Sequence, residues 1–129
     1  MTERRRYRRR PEQFVVAVPL RLDTAGFIYR KWGAEQHCKS GDWLVDNNGD
    51  IYTVDAGVFA ATYREIRRGA YLKSTPVWAE AASEDGSIAT KEGRTHYRKG
   101  DFVVFNNEDG TDGYAMSAEK FESRYEPDE

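Results

Sequence analysis

The chain has little of what usually betrays chemistry in a small protein. Cys38 is its only cysteine, which excludes an internal disulfide and, with it, a secreted disulfide scaffold. Apolar runs are short, FVVAVPL at 14–20 and FVVF at 102–105 among them, and fall well below the length that crosses a bilayer. No charged-then-apolar leader opens the sequence, so a soluble cytoplasmic protein without a membrane partner is expected. There is no G-x-S-x-G elbow, no P-loop, no G-x-G-x-x-G and no C-x-x-C. Ser40 and Ser117 sit in turn and helix-cap contexts. With no nucleophile motif and no cofactor expected, a binding protein is favoured over an enzyme.

Charge of one sign is also missing overall, since the net value is −2, but the distribution is lopsided. Six arginines, Arg4, Arg5, Arg6, Arg8, Arg9 and Arg10, crowd the start, while the stretch from Asp101 onward is mostly acidic. A cluster of this kind reads as a basic flexible arm over residues 1–6. It also supports an alternative function, a nucleic-acid accessory protein gripping phosphates through these arginines, although a domain of near-balanced charge is not a typical nucleic-acid binder.

What the chain does have is a repeat. HCKSGDWLVDNN at 37–48 recurs as HYRKGDFVVFNN at 96–107. Gly26, Ile28, Lys31 and Gly33 match Gly86, Ile88, Lys91 and Gly93 at a spacing of sixty, and the spacing becomes fifty-nine from His37 to Asn48. From Tyr52 it is sixty-two, so Tyr52, Ala56, Phe59 and Tyr63 meet Tyr114, Ala118, Phe121 and Tyr125. The register changes fall where loops gain or lose residues without disturbing packed strands.

Each copy parses as an antiparallel meander closed by a short helix. Extended runs at 13–18 and 76–81 come first, then runs at 26–32 and 86–91, then the Gly-Asp strands at 42–46 and 101–105. Asn47-Asn48-Gly49-Asp50 signals a tight turn, because Asn and Gly tolerate positive φ. Return strands at 51–54 and 114–116 lead to Asp55 and Ser117, both good helix caps. Phe59, Tyr63 and Ile66 share a helical face, with Gly69 and Pro127 as stops. The fold class expected is α+β, mainly β: repeat 1 over 7–69, repeat 2 over 70–126 and an acidic tail at 127–129. A unit of about sixty residues buries little core alone, so the repeats are expected to pack pseudo-symmetrically as one barrel- or sandwich-like domain, monomeric or homodimeric.

The run K-x-G-D-(aromatic)-(Leu/Val)-Val, followed by Y-x-V-x-A and F-x-x-x-Y, resembles the small PGDYG-motif proteins of bacteria and their phages, here in two tandem copies. Ser40 and Lys99 stand where that motif has proline, Trp43 and Phe102 where it has tyrosine, and Leu44 and Val103 where it has its final glycine. The resemblance implies an architecture and no activity.

Candidate site residues follow from the repeat. A groove between the copies, lined by His37, His96, Trp32, Asp42, Asp101, Lys31 and Lys91, is expected to take a small anionic molecule such as a nucleotide, or a protein partner. Trp32, whose counterpart is Glu92, is the aromatic ring expected to stand free to stack on a base or sugar. If the protein is instead an enzyme, His37 and His96 are the acid–base pair for hydrolysis or transfer. Metal is not expected: zinc takes about three or four protein ligands, and Cys38 has Tyr97 as its counterpart, which leaves two nitrogens. The Asp42 and Asp101 carboxylates are read first as turn chemistry. Asn106 to Asp112 lacks an oxygen donor at the first position of a calcium loop and is read as a hairpin tip.

Overall fold

The computed structural model describes residues 4–128. Alternation of exposed and inward side chains builds most of the molecule from short antiparallel strands. In chain order they are β1 (Arg5–Arg9), β2 (Val15–Pro19), β3 (Gly26–Lys31), β4 (Ala34–Lys39), β5 (Trp43–Asn47), β6 (Asp50–Val54), α1 (Ala56–Thr62), β7 (Tyr63–Arg67), β8 (Ala70–Lys73), β9 (Val77–Ala81), β10 (Gly86–Ala89), β11 (Arg94–Tyr97), β12 (Phe102–Phe105), β13 (Gly113–Met116), α2 (Ala118–Arg124) and β14 (Tyr125–Pro127). Two five-stranded sheets carry the cores, in the orders β6-β5-β2-β8-β7 and β13-β12-β9-β1-β14; two hairpins, β3-β4 and β10-β11, stand apart. Among the described residues no sheet closes on itself, so the hydrogen bonding gives no barrel.

The two sheets have matching orders only because each takes one strand from the other half of the chain. β1 precedes β2 in sequence but lies between β9 and β14, pairing Tyr7 with Val77 and Arg9 with Tyr125. β8 precedes β9 but lies beside β2 and β7, pairing Tyr71 with Val15 and Tyr63 with Lys73. Arg5 and Arg6 of the expected flexible arm over 1–6 therefore open an interior strand. Tyr7 and Arg9 of β1 face inward, while alternate arginines meet acids outside: Arg6 with Asp128 at 3.2 Å, and Arg8 and Arg10 with Glu126 at 2.7 and 3.4 Å. Residues 1–3 of that expected arm, and Glu129 of the acidic tail, lie outside the described residues. Pro127 belongs to β14 and Asp128 donates its N–H to the Arg6 carbonyl at 3.2 Å, so the described part of the tail is tied to β1.

Each core is an aromatic quartet. In one, Trp43 stacks on Phe59 at 4.1 Å and 12°, Phe59 stacks on Tyr63 at 4.6 Å, and Tyr71 meets Phe59 edge-on at 5.1 Å. In the other, Phe102 stacks on Phe121 at 4.3 Å and 16°, Phe121 on Tyr125 at 5.0 Å, and Tyr7 meets Phe121 edge-on at 4.8 Å. Stacked and edge-on rings satisfy the aromatic quadrupole while burying large apolar area. The fourth ring of each quartet comes from the strand supplied by the other half.

Both helices are capped as expected: Asp55 accepts the Val58 N–H at 3.1 Å and Ser117 that of Lys120 at 3.2 Å. They stop earlier than the spacing of Phe59, Tyr63 and Ile66 implies. The chain turns extended at Tyr63 and Tyr125, so Ile66 is a strand residue and Pro127 terminates a strand. Isolated helices this short are marginal, and pairing of β7 with β8 decides the local conformation. Gly69, with φ +81, makes the β7–β8 turn where a helix stop was expected. Residues 26–39 and 86–97 each fold back as a hairpin, a second strand that the short apolar runs do not signal.

Candidate site: a cavity with two buried cations

The hairpins join the halves. His37 N–H donates to the Glu92 carbonyl at 2.6 Å, and His96 N–H donates to the Trp32 carbonyl at 3.1 Å. Gln36, fully buried, donates from its amide to the Lys31 and Arg94 carbonyls at 2.9 Å each. Gly93 is required here, because a Cβ would lie 2.1 Å from the Glu35 carbonyl oxygen. The two histidines thus occupy equivalent places through their backbones. Their rings diverge in role: both are exposed, His96 lines the central cavity and His37 does not, its Nε2 lying 3.9 Å from Glu35.

A cavity of about 330 Å³ lies behind this clasp, within the range of small-molecule sites. Arg9 and Lys73, the last residues of the two exchanged strands, line it and are 5% and 6% exposed. Arg9 donates Nη2–H to Asn47 Oδ1 at 2.9 Å and Nε–H to the Gln13 carbonyl at 2.8 Å. Lys73 Nζ donates to Asn106 Oδ1 at 2.6 Å and to Tyr114 Oη at 2.9 Å. Asn47 and Asn106 hold matching positions in the aligned sequence segments, as do the wall tyrosines Tyr52 with Tyr114 and Tyr63 with Tyr125. Among the described residues no carboxylate lies within 4.0 Å of either cation. Burial pushes the Lys73 ammonium below its ordinary range, opposed by Tyr125 and by Asp112 and reinforced by neighbouring Arg9. A buried charge without a counter-charge is expensive.

Tyr125 feels both cations. Its ring centre lies 5.3 Å from the Arg9 guanidinium carbon and 6.0 Å from Lys73 Nζ, and its hydroxyl is 3.2 Å from that of Tyr114. Burial works to raise its ionisation, but Lys73 and then Arg9 outweigh burial and bring it down to about 8. Because this lies below the ordinary phenol value of about 10, its contribution to stability is absent below pH 8 and grows as pH rises to about 10. One tyrosine is expected to titrate near pH 8 by tyrosinate absorbance, and Tyr125→Phe should remove that step; a titration with no step below pH 9 contradicts the assignment.

The remaining expected site residues divide. Trp32 is half-buried, not free: its ring lies 5.6 Å from that of Tyr52 and 5.3 Å from Lys31 Nζ, at the cavity edge. Lys31 is committed to Asp50 at 2.9 Å, and Lys91, which lines the cavity, lies 3.8 Å from Asp55. Asp42 is buried turn chemistry, accepting the Lys39 N–H at 2.9 Å and the Ala56 N–H at 3.2 Å, and does not line the cavity. Asp101 does line it, while accepting the Arg98 N–H at 2.9 Å. Of the arginines, Arg4 is paired with Glu80 at 3.1 Å, the even-numbered ones on β1 and Arg10 are paired as described, and Arg5 is exposed.

Glu92, the counterpart of Trp32, also lines the cavity and was not anticipated as a site residue. Its Oε2 accepts the Asp55 N–H at 3.1 Å, fastening the β10–β11 turn to the start of α1. Burial raises its carboxyl to about 7; the Asp55 N–H and Lys39 oppose this, while the Asp42 and Asp55 carboxylates add to it. A raised carboxyl costs stability as pH climbs from about 4.5 to 7. Glu92→Gln keeps an acceptor for Asp55 and removes that cost. The variant is therefore expected to melt higher than the wild type at pH 8 and equally at pH 4, and equal melting at both pH values would contradict the shift.

Among the described residues no helix is long and apolar enough to cross a membrane. No protein-family model, no curated protein and no solved structure matches the chain.

Proposed function

We infer that this is a non-enzymatic binding protein that holds a small anionic ligand in the cavity between its halves. The observation that carries the reading is the Arg9 and Lys73 pair, two buried cations on one cavity with, among the described residues, no carboxylate within 4.0 Å of either. An anion seated there offsets a charge burial that the protein compensates only at one remove, through Asp112 behind Asn106. The halves are read as tandem PGDYG-like copies of a duplicated unit, packed as one sandwich-like, pseudo-symmetric domain. On that reading Arg9 and Lys73 are counterparts, which explains why the two cations stand at one site.

The acid–base reading of His37 and His96 is not favoured, because only His96 reaches the cavity. The arginine-arm reading is not favoured either, because Arg4, Arg6, Arg8 and Arg10 pair with acids and Arg9 is buried. Isothermal titration of the purified protein with inorganic phosphate, sulfate and malonate tests the inference. Saturable binding of at least one is expected, weakening as pH rises through 8 and Tyr125 supplies an internal negative charge. No heat with any of the three would overturn it.

A further inference from the structure

The cavity wall includes five carboxylates, Asp50, Asp55, Glu92, Asp101 and Asp112, each engaged by another protein group, and around Arg9 and Lys73 it presents hydrogen-bond donors. Two bonds leave most of the Arg9 guanidinium donors unspent, and two leave one N–H of the Lys73 ammonium, with the Tyr125 hydroxyl as a further neighbour of both groups. The Tyr52 hydroxyl accepts from Asn47 at 3.0 Å and keeps its own proton to donate. Among the described residues the Tyr63 hydroxyl has no hydrogen-bond partner, although it faces the cavity. Burial holds both phenols above their ordinary ionisation, so each remains a donor. A carboxylate offers two coplanar oxygens, best matched to one bidentate partner. Donors arriving from four side chains on separate strands suit a tetrahedral group with several terminal oxygens.

The two ends of the cavity differ although their positions are counterparts. On one side Asp50 is held by Lys31 at 2.9 Å and by Lys120 and Arg124 at 3.4 Å each, which closes that end with ion pairs. On the other side Val58 and Thr62 stand where Lys120 and Arg124 do, and a groove of about 540 Å³ shares Val58, Thr62, Asn106 and Asp112 with the cavity. Gly57 and Ala61 of α1 floor this groove, and Thr90, Asn107 and Thr111 edge it with hydroxyl and amide groups. Small residues leave room for a ligand body, and the polar edge suits one that carries hydroxyls.

Resting on the anion-binding reading, we propose that the ligand is a phosphate ester of a hydroxylated small molecule, such as a sugar phosphate. Its phosphate sits among Arg9, Lys73, Tyr52 and Tyr63, and its body lies in the groove lined by Gly57 and Ala61 of α1. The side closed by Asp50 is not used.

Calorimetric titration with inorganic phosphate, ribose 5-phosphate and malonate tests this, with the full chain and with Tyr63→Phe and Ala61→Trp. Ribose 5-phosphate is expected to bind tightest and malonate weakest. Tyr63→Phe keeps the stacked ring and removes one donor to a charged group, so both phosphate ligands should weaken about tenfold with no fall in melting temperature. Ala61→Trp fills the groove from an exposed helical position, and should bring ribose 5-phosphate down to the affinity of inorganic phosphate while leaving the latter unchanged. Malonate binding as tightly as phosphate, phosphate affinity indifferent to Tyr63→Phe, or ribose 5-phosphate indifferent to Ala61→Trp would each overturn the ester assignment and leave the anion-binding reading standing. Heat from none of the three ligands would remove both.

Discussion

Removing the chain through Arg9 is expected to unfold the protein, not to trim a loose end. β1 lies between β9 and β14, so its loss strips hydrogen bonds from both neighbours and leaves β9 and β14 as facing edges. Tyr7 goes with it, and opening an aromatic position in a packed core costs about 3–5 kcal/mol by itself. Set against a total stability of about 5–15 kcal/mol for a domain, the combined loss leaves nothing to hold the second quartet together. Circular dichroism should show the sheet signal gone and no cooperative melt. A truncated protein that melts like the full chain would mean that β1 is dispensable and that the strand exchange is wrong. The same outcome warns against using this truncation to probe nucleic-acid binding, because any loss of binding would report unfolding.

Lys73→Met should produce the opposite combination, a more than about hundredfold loss of anion affinity in a protein at least as stable as the wild type. Methionine keeps the unbranched apolar stem and discards the ammonium. The variant gives up hydrogen bonds to Asn106 and Tyr114, a loss of about 1–3 kcal/mol for each acceptor that stays unsatisfied. In return it no longer buries a charge without a counter-charge, a penalty of several kcal/mol. A charge-assisted contact to the ligand contributes about 1.5–3 kcal/mol, and removing one of two cations also weakens the field that draws the anion in. Function gained at the expense of stability is the usual signature of a binding site. A residue whose role is only to brace the cavity would instead destabilise the protein when replaced.

Much of this architecture was legible from repeated residues. The Gly-Asp entries, the Asn48-Gly49 turn with φ of 54 and 90, and the caps Asp55 and Ser117 all occupy the places that their chemistry dictates. The exchange of β1 and β8 was not legible, because an antiparallel strand such as Arg5–Arg9 reads the same wherever it pairs, and its arginines imitate a solvated tail. Local pattern fixes which face of a strand is apolar and leaves its neighbour open. The cavity was half legible: Trp32, His96, Lys91 and Asp101 lie on it, whereas His37, Asp42 and Lys31 do not. Its decisive residues hid for two reasons. Arg9 sat inside an arginine cluster that drew attention to its sum, and Lys73 stood outside the aligned segments. One signal could have found them: Tyr7-Arg8-Arg9 and Tyr71-Leu72-Lys73 share an aromatic residue and a cation two positions on, the alternation that places both on one face of a strand.

The most direct test of the account is a thermal melt of the wild type and Lys73→Met, each with and without inorganic phosphate at pH 7. Phosphate is expected to raise the wild-type midpoint and leave the variant unmoved, with the phosphate-free variant melting at or above the phosphate-free wild type. A variant that melts well below the wild type without phosphate, beside a wild type that ignores phosphate, would show that the buried cations brace the fold and hold no ligand.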